Sequence, residues 1–361
     1  MPIFKNEGGL KYEFEKRWQR SRTTEFPHGK TDMVDKYKQL EDRMNEKYHP
    51  DVNLGAAAAG DGILTDHGVP HVNMVMHNAW RILDGKIKQL SGYEIFLLLV
   101  AIHFHDVGNI LGREEHEQKI TDIMLDLGDT LQLETPEQIL ISAIAMAHGG
   151  HVCGNPDDKD TIRRLEDRTD CNGIFVRPAM LAAVLRFADE LSEDFTRAKN
   201  IETMPEENKI YHEFSNSLER IGIDGKTVIL RFSIPYSKTK ERIRKGASSI
   251  FLYDEILLRL GKCLRELEYC RKFAVGFIDI TTLSVTIKVE DPHNRLRIFG
   301  NEIDCFQLGL IGYPRVDLFC LENYVMGEKN DGGQIIPKTL KYTNGQMLRN
   351  IIMEKEAQQN A

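Results

Sequence analysis

The chain has 361 residues, 41% of them hydrophobic, enough for one large or two ordinary domains. Its net charge of −8 and pI of about 5.9 argue against non-specific nucleic-acid binding but leave room for a small anionic ligand. No stretch approaches the roughly 18 apolar residues that span a bilayer, and the charged start Met1–Lys16 has no signal-peptide core. Six cysteines without a Cys-x-x-Cys pair read as reduced thiols, so a cytoplasmic protein away from membranes is expected.

Residues 1–48 form a charged N-terminal segment, helix-prone from residue 10, with a break near Pro27 and Gly29. A Gly/Ala/Asp-rich loop covers residues 49–70. Helical spacing of Val72, Val75, Met76, Ala79 and Leu83 predicts a helix over Val69–Asp84. The next, Tyr93–Val107, is apolar all round, as a central core helix should be, and Gly108 stops it. Further helices are expected over Arg113–Leu127, over Thr135–His148 behind a capped Thr-Pro-Glu-Gln start, and over Pro178–Asp194. A polar loop carrying Arg163, Arg164 and Arg168 precedes the last of these.

After about Asn200 the pattern changes. Lys209–Phe214, Thr227–Ile234 and Phe277–Val289 read as strands, residues 248–274 as a long amphipathic helix, and residues 298–325 as further short strands. Residues 328–361 read as a loose polar tail. The expected architecture is mainly α: a helical domain over residues 49–200 followed by a smaller α+β domain over residues 201–327.

Eight of the twelve histidines fall in one stretch: His67, His71, His77, His103, His105, His116, His148 and His151. Imidazole and carboxylate together suit Mn, Fe, Zn or Ni, and with added water Mg. The most specific item is the His105–Asp106 pair, closing the apolar helix in Ile102-His-Phe-His-Asp-Val-Gly108. Burying a carboxylate there costs several kcal/mol unless a cation compensates. His67-Gly-Val-Pro-His71 opens an amphipathic helix, and Asp189 sits on the otherwise apolar face of Leu185–Leu191. His77 and His103 read as core residues.

In this ordered set, His71, then His105–Asp106, then Asp189, the chain resembles the HD-domain phosphohydrolase superfamily over about residues 60–200. The resemblance implies an HD-type helical bundle and one or two divalent ions, Mn or Mg first and Fe, Ni or Zn as alternatives. Some members hold two metals with added histidines, and His116 and His148 stand where those fall, with His151 a weaker substitute for His148. The α+β region after the bundle resembles HD proteins of bacterial conflict and antiphage gene sets.

The resemblance implies hydrolysis of phosphate esters or anhydrides, with metal-bound hydroxide as nucleophile and Asp106, His116 and His148 as catalytic groups. Arg186, one turn before Asp189, together with Arg164 and His67, is expected to bind substrate phosphate, Arg being suited to bidentate contacts. Arg163, Arg168 and Arg197 are weaker candidates. A nucleotide or deoxynucleoside triphosphate phosphohydrolase is preferred, although Gly108-Asn-Ile-Leu-Gly112 departs from the triphosphohydrolase pattern. Gly312-Tyr-Pro314 lies too far downstream for the Gly-Tyr-Pro motif of cyclic-dinucleotide esterases. A phosphodiesterase or nuclease, and a non-catalytic nucleotide-sensing scaffold with a structural metal, remain as alternatives. Residues 201–327 are expected to mediate contact with a second copy or a partner protein.

Overall fold

The structure, a computed structural model, describes residues 9–29, 31–52, 67–112, 115–128, 131–152, 155, 157–193, 205–290, 302–310, 320–329, 335–336 and 338–359. It is mainly helical with a smaller sheet-containing region. The chain divides into two compact units. The first comprises Met1–Ser192 and Tyr269–Asp279, the second Glu193–Glu268 and Ile280–Ala361.

The first unit begins with α1 (Leu10–Glu25) and α2 (Met33–Arg43), the latter prolonged by one π-turn, Met44–Tyr48. Asp32 caps α2 by accepting from the Val34 and Asp35 amides. Four more helices build the bundle: α3 (Val69–Ile82), α4 (Gly92–Phe104), α5 (His116–Gly128) and α6 (Thr135–Met146). A two-stranded hairpin, β1 (Thr169–Cys171) and β2 (Ile174–Val176), leads into α7 (Pro178–Glu190).

Every residue of α4 is buried, as expected of a helix apolar on all sides. Its start is fixed by a reciprocal capping box between Ser91 and Glu94. Against the sequence expectation, one segment, Gly92–Leu111, is long and apolar enough to cross a membrane, but 89% of its most apolar window is buried inside the protein, as in a core helix. The N-terminal helices belong to the same core, with Leu10, Phe14, Trp18, Tyr37 and Leu40 all buried. A buried ion pair, Lys36 to Glu137 at 2.6 Å, ties α2 to α6, and the Tyr93 hydroxyl donates to the other Glu137 oxygen.

Two links bear directly on the site. Asn78 on α3 donates to the Leu191 carbonyl at 2.9 Å and to the Ser192 hydroxyl at 3.0 Å, holding the end of α7 against α3. Gly108 stands so close to the start of α5 that a Cβ there would meet the His116 carbonyl oxygen at 1.8 Å. Glycine is therefore required where the chain leaves α4 and passes α5.

The second unit contains α8 (Glu206–Ser217), β3 (Leu218–Asp224), β4 (Thr227–Pro235), the hairpin β5 (Ile243–Lys245) and β6 (Ser248–Ile250), and most of α9 (Leu252–Phe273). It continues with β7 (Thr282–Glu290), β8 (Glu302–Gly309), the short pair β9 (Glu328–Lys329) and β10 (Ile335–Ile336), and α10 (Gly345–Gln359). Its sheet has the order β3-β4-β7-β8, with β4 and β7 parallel and the outer pairs antiparallel. The parallel pair requires a crossover, and α9 lies within it in sequence.

Two sequence expectations are corrected here. Lys209–Phe214 is not a strand but part of α8, where Ile210 and Phe214, four residues apart, are both buried. The stretch 328–361 is not a loose tail throughout, since α10 buries Leu348 and Ile352 at the same helical spacing. The loop residues 55–60, Arg197 and the Gly312–Pro314 tripeptide lie outside the described residues.

Candidate metal centre

The site forms where helix ends meet. His71 lies in the first turn of α3 behind Gly68 and Pro70. His105 follows the last residue of α4, and Asp106 begins the 3-10 turn Val107–Leu111. Asp189 is in the last turn of α7, His116 opens α5, and His148 stands just beyond α6. Neighbouring residues on a regular helix diverge by about 100°, so two consecutive ligands can share a site where the helix gives out. Here it gives out between His105 and Asp106.

Two groups of ligand atoms result, and Asp106 belongs to both. His71, His105, Asp106 and Asp189 offer one atom each, all within 4.8 Å of one another. The His71 Nε2 atom lies 3.1 Å from His105 Nε2, 3.3 Å from Asp106 Oδ2 and 3.2 Å from Asp189 Oδ1. His105 Nε2 lies 3.2 Å from Asp106 Oδ2 and 3.7 Å from Asp189 Oδ1. In the second group, the other Asp106 oxygen lies 3.4 Å from His116 Nε2 and 3.8 Å from His148 Nε2.

This donor set fits a divalent cation. Ligand atoms about 2.1 Å from one ion stand about 3.0 to 3.4 Å apart in octahedral or tetrahedral arrangements, close to the separations within the first group. His105 and His148 are oriented for the task. Their Nδ1–H groups donate to the Ile102 and Ala145 carbonyls at 2.7 and 2.6 Å, which leaves both Nε2 atoms facing the cluster. Among the described residues, His71 Nδ1 is buried without a hydrogen-bond partner. Asp106, His105, His71, His116 and His148 are all buried, while the Asp189 side chain is 28% exposed and forms the open edge.

The electrostatics of the bare cluster agree. Burial opposes charge on Asp106, yet His105 and then His67 override it and hold the carboxyl well below the usual range. Asp189 is likewise held low, burial being outweighed by hydrogen bonds from His105 and His71. Burial also opposes charge on His105, but Asp106 and Asp189 raise its pKa well above the ordinary value, so a bound cation would take the place of that proton. For His148, burial and the charge of His105 push the pKa down to about 4, which leaves the neutral imidazole that ligation requires.

The family model named HD-CE matches residues 62–257, more than half of the chain. The chain belongs to the HD-CE family. No curated protein matches it. HD-CE is an HD-type domain, and in this member the buried His/Asp cluster is the candidate seat of a divalent ion.

The remaining site residues foreseen from this HD-CE chain's sequence are placed unequally. His67 joins the cluster, its Nδ1 2.7 Å from Asp106 Oδ2. Arg186 is buried and donates to the Lys159 carbonyl and, at 2.9 Å, to the Thr161 hydroxyl, while its guanidinium lies over the Tyr269 ring. Thr161 in turn donates to the Ala147 carbonyl, next to His148, so Arg186 clamps the loop that follows the site. Arg164 is exposed on that loop, Arg163 pairs with Asp158 and Asp160, and Arg168 stacks on Phe175. His151 sits 3.9 Å from Glu115, so it is His148 that enters the cluster.

The two histidines read as core differ. His77 is exposed, on the outer face of α3, because it lies one residue beyond the buried stripe Val72, Val75, Met76. His103 is buried and meets His49 at 2.9 Å and the Tyr37 hydroxyl at 3.2 Å. Sequence reasoning passed over His49, Asn109 and Glu117. Asn109 donates to Asp106 Oδ1 at 3.3 Å and Glu117 contacts His116 at 3.3 Å. For Asn109 and Glu117 the only signal in the sequence is proximity to a ligand, which His49 lacks.

Proposed function

We propose that this HD-CE protein is a metal-dependent phosphohydrolase acting on the phosphate esters or anhydrides of nucleotides. The observation that carries the reading is the placement of Asp106, with one oxygen in each of two ligand groups. His71, His105 and Asp189 would complete the first position, His116 and His148 the second. A divalent ion at such a site acidifies water towards neutral pH and withdraws electrons from a phosphoryl oxygen.

Phosphoryl transfer asks little covalent chemistry of the protein and mostly positioning and charge neutralisation. Asp106 holds the two groups at a fixed separation, and Asn109 and His67 fix the carboxylate from either oxygen. The second group has three protein ligands, fewer than an oxygen-binding ion takes, so substrate has room to join it. Asp189 marks the open edge. The exposed Arg164 is the arginine we assign to substrate phosphate, since Arg186 is committed to the loop. The acidic charge balance favours a small nucleotide in the cytoplasm over a nucleic-acid strand. Residues 201–327 are proposed to serve partner or self-association, and the sequence resemblance supports a role in bacterial conflict.

The test is a panel of nucleoside mono-, di- and triphosphates and bis(p-nitrophenyl) phosphate, with Mn or Mg added, comparing the wild type with Asp106→Ala. Metal-dependent release of phosphate or pyrophosphate, lost in the variant, is expected. Turnover of the diester alone would move the assignment to a phosphodiesterase. A well-loaded wild type inert towards every ester would leave a sensing scaffold with a structural metal.

A further inference from the structure

We propose that Glu117 is the positioning residue of the second ligand group, and that the glycine pair after His148 exists to seat it. The inference rests on the two-group reading of Asp106. Glu117 Oε2 lies 3.3 Å from His116 Nδ1. Adjacent residues on a helix point about 100° apart, so a contact between them forms only if something else holds the carboxylate over.

Gly149 and Gly150 leave open the space it occupies. A Cβ at Gly150 would lie 2.9 Å from the Glu117 carboxyl carbon and 3.1 and 3.2 Å from its oxygens. A Cβ at Gly149 would lie 3.2 Å from Oε1. Gly150 also has a φ of +67°, a conformation side chains disfavour. The carboxylate therefore lies against bare backbone, and a Cβ at Gly150 would push it aside.

The geometry joins the two histidines of the second group. His148 is fixed through the Ala145 carbonyl at 2.6 Å, and His116 through Glu117. A carboxylate on the far nitrogen of a ligating imidazole fixes its tautomer, turns its Nε2 to the ion and raises its basicity. The backbone that carries His148 runs straight on into the seat of Glu117, so a shift of either histidine disturbs the other. The first group needs none of this, since His71 and His105 stand on other helices.

An acid in the first turn of α5 would also stabilise the helix through its dipole. The two roles separate by experiment. The full-length protein is loaded with Mn(II) and its ions counted by elemental analysis, with low-temperature electron paramagnetic resonance to tell a coupled pair from isolated ions. The wild type is expected to hold two coupled ions per chain. Glu117→Ala should bind the second ion roughly 10- to 100-fold more weakly and show the six-line signal of a single Mn. Glu117→Gln, which keeps an oxygen acceptor, should fall between, and it covers the case in which the alanine variant does not fold.

Second-ion affinity unchanged in both variants, with or without a lower melting temperature, overturns the inference and leaves the two-group reading intact. One ion or none in the wild type overturns both.

Discussion

His67 lies closer to Asp106 than any histidine of the two ligand groups does: its Nδ1 is 2.7 Å from Oδ2, against 3.2 Å for His105 and 3.3 Å for His71. The oxygen it touches is the one turned to the first group. His67 thus orients the carboxylate that the whole centre shares.

Removing that contact should loosen the centre without emptying it. For His67→Ala the expectation is roughly 10- to 100-fold weaker Mn binding, the usual consequence of losing a residue that fixes a ligand. Isothermal titration of the metal-free protein would measure it. Unchanged affinity would make His67 a substrate contact or a bystander.

The pair His49 and His103 predicts a pH dependence of stability. Burial, and then the charge of His105, hold the His49 pKa down to about 4. Burial, and then His49 itself, hold His103 well below the ordinary imidazole range. Between pH 6.5 and 4 both take up protons on unfolding but not while folded, so stability falls as the pH falls. Each contributes a slope of at most about 1.4 kcal/mol per pH unit. Urea unfolding of the metal-free protein between pH 7 and 5 would reveal it, and His49→Gln should flatten the slope.

Gly108→Ala should be severe. The added Cβ would fall 1.8 Å from the His116 carbonyl oxygen, which is backbone and cannot rotate aside. Forced overpacking typically costs about 1–3 kcal/mol, and a backbone collision belongs at the upper end. A lower melting temperature together with impaired ion binding at the second group is expected. A variant with the wild-type melting temperature would mean that α5 is not held against this turn.

Arg186→Lys should behave as a stability variant. Its charged hydrogen bonds to Lys159 and Thr161 and its packing on Tyr269 hold the loop beside His148. Losing hydrogen bonds of this kind costs about 1.5–3 kcal/mol, and the flexible ammonium does not reproduce the planar fork. Thermal unfolding reads the loss. A raised KM with unchanged unfolding would restore the phosphate role first expected of it.

The parts of this fold legible in the sequence are those with strong periodicity or a hard stop. α4 was readable from its unbroken apolar run and from Gly108, and with it the exit that presents His105 and Asp106 together. The ordered set His71, His105–Asp106, Asp189 was readable because each stands on a helix with an apolar face, His71 at a start and the others near an end, and the structure draws the four together. What stayed hidden depends on tertiary contact. Ile210, Tyr211 and Phe214 look like a strand until Ile210 and Phe214 share one buried helix face. Arg186, a plausible phosphate ligand by spacing, is claimed by a tyrosine more than eighty positions away. Glu117 resembles any acid at a helix start until Gly149 and Gly150 are folded against it.

The most direct test is the metal content of the purified chain after dialysis against Mn, compared with that of Asp106→Ala. With a carboxylate shared by both ligand groups, the wild type should retain at least one ion per chain and the variant none. A wild type that retains no ion, or a variant that retains as much as the wild type, would contradict the assignment of this cluster as a metal centre.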